Sequence, residues 1–258
     1  QYLIPVELEL GGKDPMLVFA DATISRAAKG AVWGAFTNSG QSCTSVERVL
    51  VQQPIYEDFK RQLLAEISLL KVAPDTDGDA DLGRMISAEQ AKKVYDLLGD
   101  ARAKGARVLS GVEWDGVSLW IPPIVLEGVS AGMKMMEEEI FGPILPIFPF
   151  EQESDAVRMA NDSSFGLSAS VWTRDRKRAE RVTRALQTGN VSVNNVMLTE
   201  GNPALPFGGV KESGIGRYKG ALGLQAFCSV KSVLYDADSK KIEANWYPYT
   251  ARKYVLFS

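Results

Sequence analysis

The sequence predicts an α/β fold, a mainly parallel three-layer αβα sheet with helices on both faces, and two observations predict it. Segments with helical and strand periodicity alternate along most of the chain. The length and composition are those of an ordinary globular protein with a full core: 258 residues, 45% hydrophobic and 24% charged.

The elements follow in order. Tyr2 to Leu10 reads as a strand already under way, so the chain is expected to be a piece of a longer protein. Asp21 to Phe36 carries Ile24, Ala27, Ala28, Ala31, Val32, Ala35 and Phe36 on one 3.6-period face, a helix that breaks at Asn38 and Gly40. Val46 to Gln52 reads as a strand, and Pro54 opens a helix with Ile55, Phe59, Leu63, Ile67 and Leu70 on one side. A third helix runs from Ser87 to Lys104 and stops before Gly105.

Strand-like segments follow at Arg107 to Leu109, Leu119 to Leu126 and Ile144 to Phe148, the middle one weakened by Pro122-Pro123. A short helix spans Ser154 to Asn161, then come a strand at Leu167 to Trp172, a helix from Asp175 to Leu186 and a strand at Asn190 to Asn194. From Asn195 to Arg217 the pattern lapses into a Gly- and Pro-rich stretch, longer than structureless loops usually are, which marks it as functional.

Composition excludes several function classes. With 29 Lys+Arg against 32 Asp+Glu the net charge is −3, which is no nucleic-acid footprint, and no apolar run approaches the ~18 residues of a membrane span. Cys43 and Cys228 are the only cysteines, so a cytoplasmic location is expected. Histidine is absent, which excludes His-based catalytic pairs and His-containing zinc sites; no metal site is expected. Any catalytic base must be a carboxylate, Lys or Tyr.

Cys43 lies in Asn38-Ser-Gly-Gln-Ser-Cys-Thr-Ser45 among small polar residues that leave a thiol accessible, so it reads equally as a nucleophile of lowered pKa or as a small buried hydrophobe. Cys228, with apolar neighbours, reads as buried. Glu9 ends an apolar strand beside Gly11-Gly12, where desolvation would raise its pKa toward that of a general base; a solvated strand-end carboxylate is the plainer reading. Gln90, three residues after Ser87, fits a capping box. Gly214 and Gly216 begin a G-x-G, but Lys219 occupies the last glycine position of a dinucleotide fingerprint, which is therefore rejected.

Taken together, Glu9-Leu-Gly-Gly-Lys-Asp-Pro15, Gly40-Gln-Ser-Cys43, Glu138-Glu-Ile-Phe-Gly-Pro143, Gly189-Asn-Val-Ser-Val-Asn-Asn195 and Pro206-Phe-Gly-Gly-Val-Lys-Glu-Ser-Gly214 occur in this order, and the chain resembles the aldehyde dehydrogenase superfamily from Glu7 to about Val233. The resemblance implies NAD(P)-dependent oxidation of a small-molecule aldehyde, with NAD or NADP as cofactor. Cys43 matches the nucleophile that forms a thiohemiacetal and then a thioester, and Glu9 the base that activates the hydrolytic water.

By the same resemblance Glu139 and Phe141 match nicotinamide-ribose positions, Gln90 a second ribose contact, and Leu10 and Gly11 further cofactor contacts. Gln41, Ser42 and Thr44 flank the nucleophile as substrate contacts, Phe207 lines the substrate tunnel, Asn194 or Asn195 braces the adjoining loop, and the Cys43 N–H is an oxyanion donor. Residues 1–10 are then the end of a missing N-terminal cofactor-binding half, 11–227 the catalytic domain, and 228–258 an oligomerisation strand, Ser229 to Tyr235, with an aromatic tail, Asn245 to Tyr254, in a homodimer or homotetramer. Tyr218 stands where many hydrolytic members have a glutamate. Glu9 argues against a relative that transfers its acyl group to coenzyme A. The alternative left open is an isolated catalytic domain without a cofactor site, inactive alone and serving as an oligomerisation unit.

Overall fold

A seven-stranded sheet organises the computed structural model, which describes residues 4–73, 78, 80–110, 114–238 and 246–250. The chain divides into two units, Gln1–Ala226 and Phe227–Ser258. The first contains β1 (Leu8–Glu9), β2 (Asp14–Val18), α1 (Ile24–Phe36), β3 (Val46–Gln52), α2 (Tyr56–Ile67), α3 (Ala88–Ala103), β4 (Arg107–Val108), β5 (Ile124–Glu127), α4 (Lys134–Glu137) and β6 (Ile144–Phe150). It continues through α5 (Glu153–Asn161), β7 (Phe165–Gly166), β8 (Ser168–Trp172), α6 (Arg176–Ala185), β9 (Asn190–Val193), α7 (Leu198–Gly201), β10 (Val210–Lys211), β11 (Gly214–Ile215) and α8 (Gly220–Ala226).

Strand order is β4-β5-β6-β3-β2-β8-β9, and every neighbouring pair is parallel except the edge pair β4–β5. Alternation puts one set of side chains on each face. Met16, Val18, Val49 and Val51 pack with Ala27, Ala31 and Phe36 of α1 and Phe59 and Leu63 of α2. Leu17 and Leu50 pack on the opposite face with Val94, Leu97 and Ala101 of α3, Ala156 of α5 and Val182 of α6. Burial on both faces makes this the three-layer αβα arrangement the sequence predicts.

Local chemistry sets the helix ends. The Ser87 hydroxyl accepts the Gln90 N–H at 3.2 Å to start α3, and the Asp175 carboxylate accepts the N–H groups of Lys177 and Arg178 to start α6. Pro54 lies in a 3-10 turn, Gln53–Ile55, that leads into α2.

Several elements differ from expectation. The strand expected from Tyr2 to Leu10 is confined, within the described residues, to the two residues of β1, because its only ladder partner is the equally short β11. β2, unexpected from sequence, is fully buried at the centre of the sheet. Pro122-Pro123 carries no ladder bond, so the strand expected from Leu119 begins only at Ile124. The irregular stretch after Asn195 contains the short elements α7, β10 and β11.

In the second unit, residues 227–238 are exposed and belong to no strand of this chain. Ser229 to Tyr235, expected as a strand, has no ladder among the described residues, and an extended segment without one leaves its backbone groups to water. Cys228 is exposed rather than packed, as are Phe227 and Val230 beside it. Of the aromatic tail only residues 246–250 are described, with the Tyr247 and Tyr249 ring centroids 4.7 Å apart; its other residues lie outside the described set. Among the described residues no helix is long and apolar enough to cross a membrane, and no group of His, Cys, Asp or Glu side chains is arranged to hold a metal.

Candidate active site

β6, β3 and β2 are neighbours in the sheet, and the turns that enter them, Glu138 to Pro143, Gln41 to Ser45 and Leu10 to Lys13, meet at the amino-terminal edge of the three strands. This gathers Glu139, Phe141, Cys43 and Gly11. Glu9 lies one turn earlier on β1, which pairs antiparallel with β11, Glu9 opposite Gly214.

The cysteine loop departs from α1 through three consecutive residues with positive φ, Asn38 (50°), Ser39 (56°) and Gly40 (71°). Such backbone costs non-glycine residues roughly 1–2 kcal/mol each, and local hydrogen bonds offset it. Asn38 Nδ2 donates to the Gln41 carbonyl at 2.9 Å, and Ser39 Oγ donates to the Gly83 carbonyl at 2.7 Å. Glycine is required at 40 for a second reason: a Cβ there would stand 2.3 Å from the Gly142 carbonyl oxygen of the neighbouring turn.

The three turns also touch one another. A Cβ on Gly12 would lie 2.0 Å from the Cys43 carbonyl oxygen, so only glycine lets the Glu9 turn close on the Cys43 loop. The Gly12 N–H donates to Glu139 Oε1 at 2.9 Å. Glu139 Oε2 has no hydrogen-bond partner among the described residues and faces Gly11, where an added Cβ would come within 2.7 Å of it.

Burial dominates the electrostatics, and neighbouring charges add to it. Burial pushes the Cys43 thiol up to about 11, helped by the carboxylates of Glu200, Asp14, Glu139 and Glu9. This reverses the lowered pKa expected for a nucleophile: desolvation and four acids outweigh any stabilisation of a thiolate. Burial likewise raises Glu9, against the Gly209 N–H and Arg217, and raises Glu139, against the Gly12 N–H. The Cys43 N–H donates to no acceptor among the described residues, which leaves it available to an oxyanion.

Beneath these turns lies a charged layer that sequence reading missed. Lys13 Nζ donates to Glu47 Oε2 at 2.9 Å and to the Glu138 carbonyl at 2.8 Å, while Glu47 accepts the N–H groups of Ile140 and Phe141 at 2.8 and 2.9 Å. Phe141 is held by these bonds in a left-handed conformation, φ 49°. Gln90 Nε2 donates to the carbonyls of Ile140 and Phe141 at 3.2 and 3.0 Å, and Arg48 donates to those of Lys13, Met159 and Ala160. An acid and an arginine adjacent in the apolar run Val46 to Val51 were the available signal, since buried charges demand partners.

Several of the residues expected at ligand positions bond to the backbone around them. The Gln90 amide nitrogen engages the carbonyls of Ile140 and Phe141, which braces that turn, and its side chain does not close a capping box onto Ser87. Gln41 is turned away from Cys43: its Oε1 accepts the Ile86 N–H at 2.8 Å and its Nε2 donates to the Asn38 carbonyl. Thr44 is buried, 1% exposed, and donates its hydroxyl to Glu200 Oε2 at 2.7 Å; Ser42 Oγ lies 3.1 Å from that hydroxyl. Leu10 is exposed and held by its N–H on the Ser213 carbonyl.

Phe207 is buried and paired through both backbone bonds with Tyr218, the rings edge to face at 5.6 Å. Asn194 braces the ends of β8 and β9 by exchanging side-chain bonds with the Thr173 N–H and carbonyl, whereas Asn195 Oδ1 caps the adjacent Val196 N–H. Glu200 enters the site unannounced, since an acid in a Gly- and Pro-rich loop reads as solvated until the fold brings it to Thr44.

Residues 1–233 match the model of the aldehyde dehydrogenase family. The chain is 48% identical over 254 residues to 4,4'-diapolycopene aldehyde oxidase of Methylomonas sp, covering 98% of this chain and 47% of the relative. It is 37% identical over 230 residues to succinate-semialdehyde dehydrogenase [NADP(+)] 1 of Mycobacterium bovis, covering 89% of this chain and 50% of the relative. Among solved structures it resembles the NAD-dependent aldehyde dehydrogenase of Sinorhizobium meliloti, with a TM-score of 0.82, 38% identity, and coverage of 86% of this chain and 44% of that one. The chain thus spans about half the length of the curated relatives it matches. With the glutamate, cysteine and Glu-Ile-Phe turns converging on one sheet edge, as the family motifs require, this chain belongs to the aldehyde dehydrogenase family.

Proposed function

We propose that this chain carries the chemistry of the NAD- or NADP-dependent oxidation of an aldehyde to a carboxylic acid. The observation that carries the reading is the closure of the Glu9 turn, through Gly12, onto the Cys43 loop and Glu139.

Cys43 Sγ adds to the aldehyde carbon and the thiol proton passes to the carbonyl oxygen, giving a thiohemiacetal whose oxygen takes a hydrogen bond from the Cys43 N–H. Glu139 fits a nicotinamide ribose because Oε2 is an unused carboxylate acceptor beside a glycine with no side chain to fill the space, and Phe141 and Gly11 flank it. What a nicotinamide cofactor supplies when bound is acceptance of the hydride that leaves the thiohemiacetal carbon. On the resulting thioester, Glu9 takes a proton from water as the water attacks the acyl carbon, and Cys43 departs as the thiol is restored. The raised pKa of Glu9 supports this role, because a carboxylate held above its ordinary range is the stronger base.

Ser229 to Tyr235, exposed and outside any ladder among the described residues, suits addition to a neighbouring subunit's sheet in a homodimer or homotetramer. The two cysteines in 258 residues support a cytoplasmic setting.

The test is rapid-mixing kinetics with an aldehyde and NAD or NADP on the enzyme containing this chain. Cys43→Ser is expected to abolish reduced-cofactor formation. Glu9→Gln is expected to keep one burst per active site and slow steady turnover by roughly 10²- to 10⁴-fold. Undiminished turnover in Cys43→Ser would overturn the assignment. Calorimetric titration of NAD and NADP into the chain by itself separates this reading from that of a domain inactive alone.

A further inference from the structure

We infer that Glu200 sets the charge preference of the site, excluding aldehydes that bear a carboxylate and favouring neutral ones. The inference rests on the reading of Cys43 as the nucleophile.

Glu200 lies in α7, and its carboxylate is tied to the residue next to the nucleophile: Thr44 Oγ1 donates to Oε2 at 2.7 Å. Thr44 is buried, and its hydroxyl is also in contact with Ser42 Oγ at 3.1 Å, so the tether has little freedom. The Glu200 backbone is pinned as well, because Lys219 Nζ donates to its carbonyl oxygen.

The two cations that follow in this stretch, Arg217 and Lys219, spend their hydrogen bonds on backbone carbonyls. The Lys219 ammonium engages the carbonyl of Glu200, not its carboxylate, and lies over the rings of Phe207 and Tyr218, 5.4 and 5.1 Å from their centroids. Arg217 Nη1 donates to the carbonyls of Gly209 and Gly216 at 2.9 and 2.6 Å. Among the described residues the Glu200 carboxylate makes no ion pair, and its one hydrogen bond comes from a neutral hydroxyl. Glu9 and Glu139 add charge of the same sign around Cys43, and of the four carboxylates that raise the Cys43 thiol Glu200 acts most strongly.

A substrate anion approaching Sγ therefore meets a fixed negative charge beside the nucleophile, in surroundings where screening is weaker than in bulk water. A neutral aldehyde of the same length does not.

The first experiment reads the field at Sγ without cofactor or aldehyde. The 258-residue chain is alkylated with iodoacetamide, which is neutral, and separately with iodoacetate, which is anionic. The Cys43 peptide is followed by mass spectrometry so that Cys228 does not interfere. Glu200→Gln is expected to lower the iodoacetamide-to-iodoacetate rate ratio by about threefold to tenfold at low salt. Glu200→Asp, which keeps the charge, is expected to hold the ratio near that of the parent. An unchanged ratio in Glu200→Gln would overturn the inference.

The second experiment compares kcat/KM for butanal and 4-oxobutanoate on the enzyme containing this chain, where Glu200→Gln is expected to narrow the preference for butanal by a similar factor. A parent that prefers 4-oxobutanoate would overturn the inference while leaving aldehyde oxidation intact. A shifted alkylation ratio in an enzyme that oxidises neither aldehyde would uphold the field at Cys43 and sink the proposed function instead.

Discussion

Lys13 Nζ lies 2.9 Å from Glu47 Oε2, with the two side chains 0% and 3% exposed, so a desolvated ion pair sits directly under the three turns that carry Gly11, Cys43 and Glu139. It joins all three: Lys13 ends the Gly11-Gly12 turn, Glu47 follows the cysteine loop on β3, and both hold the backbone of Glu138 to Phe141.

Removing one partner is expected to cost more than the pair contributes, because it strands a buried charge. Lys13→Met should destabilise the chain by about 3–5 kcal/mol, read from the midpoint of urea unfolding. Glu47→Gln strands the buried Lys13 ammonium and should cost a similar amount; because it also weakens the bonds to the Ile140 and Phe141 N–H groups, it should raise KM for the nicotinamide cofactor more than it lowers kcat. Equal stability of Lys13→Met and the parent would show that the pair does not hold the turns.

Arg48 is expected to resist even its closest replacement. Its Nε and Nη2 both donate to the Lys13 carbonyl, while Nη1 reaches Met159 and Nη2 Ala160, a planar fork that a lysine ammonium does not reproduce. Burial draws its pKa down to about 10, which still leaves it charged at neutral pH. Arg48→Lys should lose about 2–4 kcal/mol of unfolding free energy through unsatisfied carbonyls, and thermal or urea unfolding checks this. Retention within 0.5 kcal/mol, roughly the effect of an ordinary surface substitution, would mean that the fork is dispensable.

Legibility in the sequence follows how local each signal is. α3 and α6 carry their caps, Ser87 and Asp175, within their own sequence, and β3 announces itself by its run of β-branched residues, so all three appear where periodicity places them. β2 escapes because Asp14 and Pro15 at its start resemble a turn; its strand character comes from two parallel neighbours and not from its own residues. The family motifs single out Cys43, Glu9 and Glu139, which the fold brings to one edge of the sheet. They leave Glu200 and Glu47 unseen because each acquires its role from residues distant in sequence, Thr44 and Lys13. The backbone bonds of Gln41 and Gln90 are equally invisible in sequence, since a polar side chain beside a motif serves the backbone around it as readily as a ligand.

The raised Cys43 thiol fixes the sign of a pH dependence. With its pKa pushed up to about 11, the neutral thiol dominates at pH 7 and the thiolate fraction grows about tenfold per pH unit until the pKa is reached. Alkylation of Cys43 by iodoacetamide in the cofactor-free chain should therefore rise through pH 8, 9 and 10 and level off near about 11. A plateau at or below pH 9, the ordinary thiol value, would show that burial and the surrounding carboxylates do not raise the thiol.

Gly12 offers the sharpest test of how the site is assembled. Its missing Cβ would overlap the Cys43 carbonyl oxygen at 2.0 Å, while its N–H fixes Glu139 at 2.9 Å. Because the obstacle is backbone, Gly12→Ala must separate the Glu9 turn from the cysteine loop, whereas Gly99→Ala, in α3 with nothing within 4 Å of the new Cβ, meets no obstacle. Overpacking of this kind costs about 1–3 kcal/mol, and a displacement of about 1 Å lowers catalysis by roughly 100-fold. Gly12→Ala should therefore lose activity far out of proportion to its shift in unfolding midpoint, and Gly99→Ala should gain slightly in stability with unchanged kcat. Parallel urea unfolding and steady-state kinetics decide it, and a Gly12→Ala enzyme with full activity would mean that closure of the Glu9 turn on the Cys43 loop is not needed for the proposed chemistry.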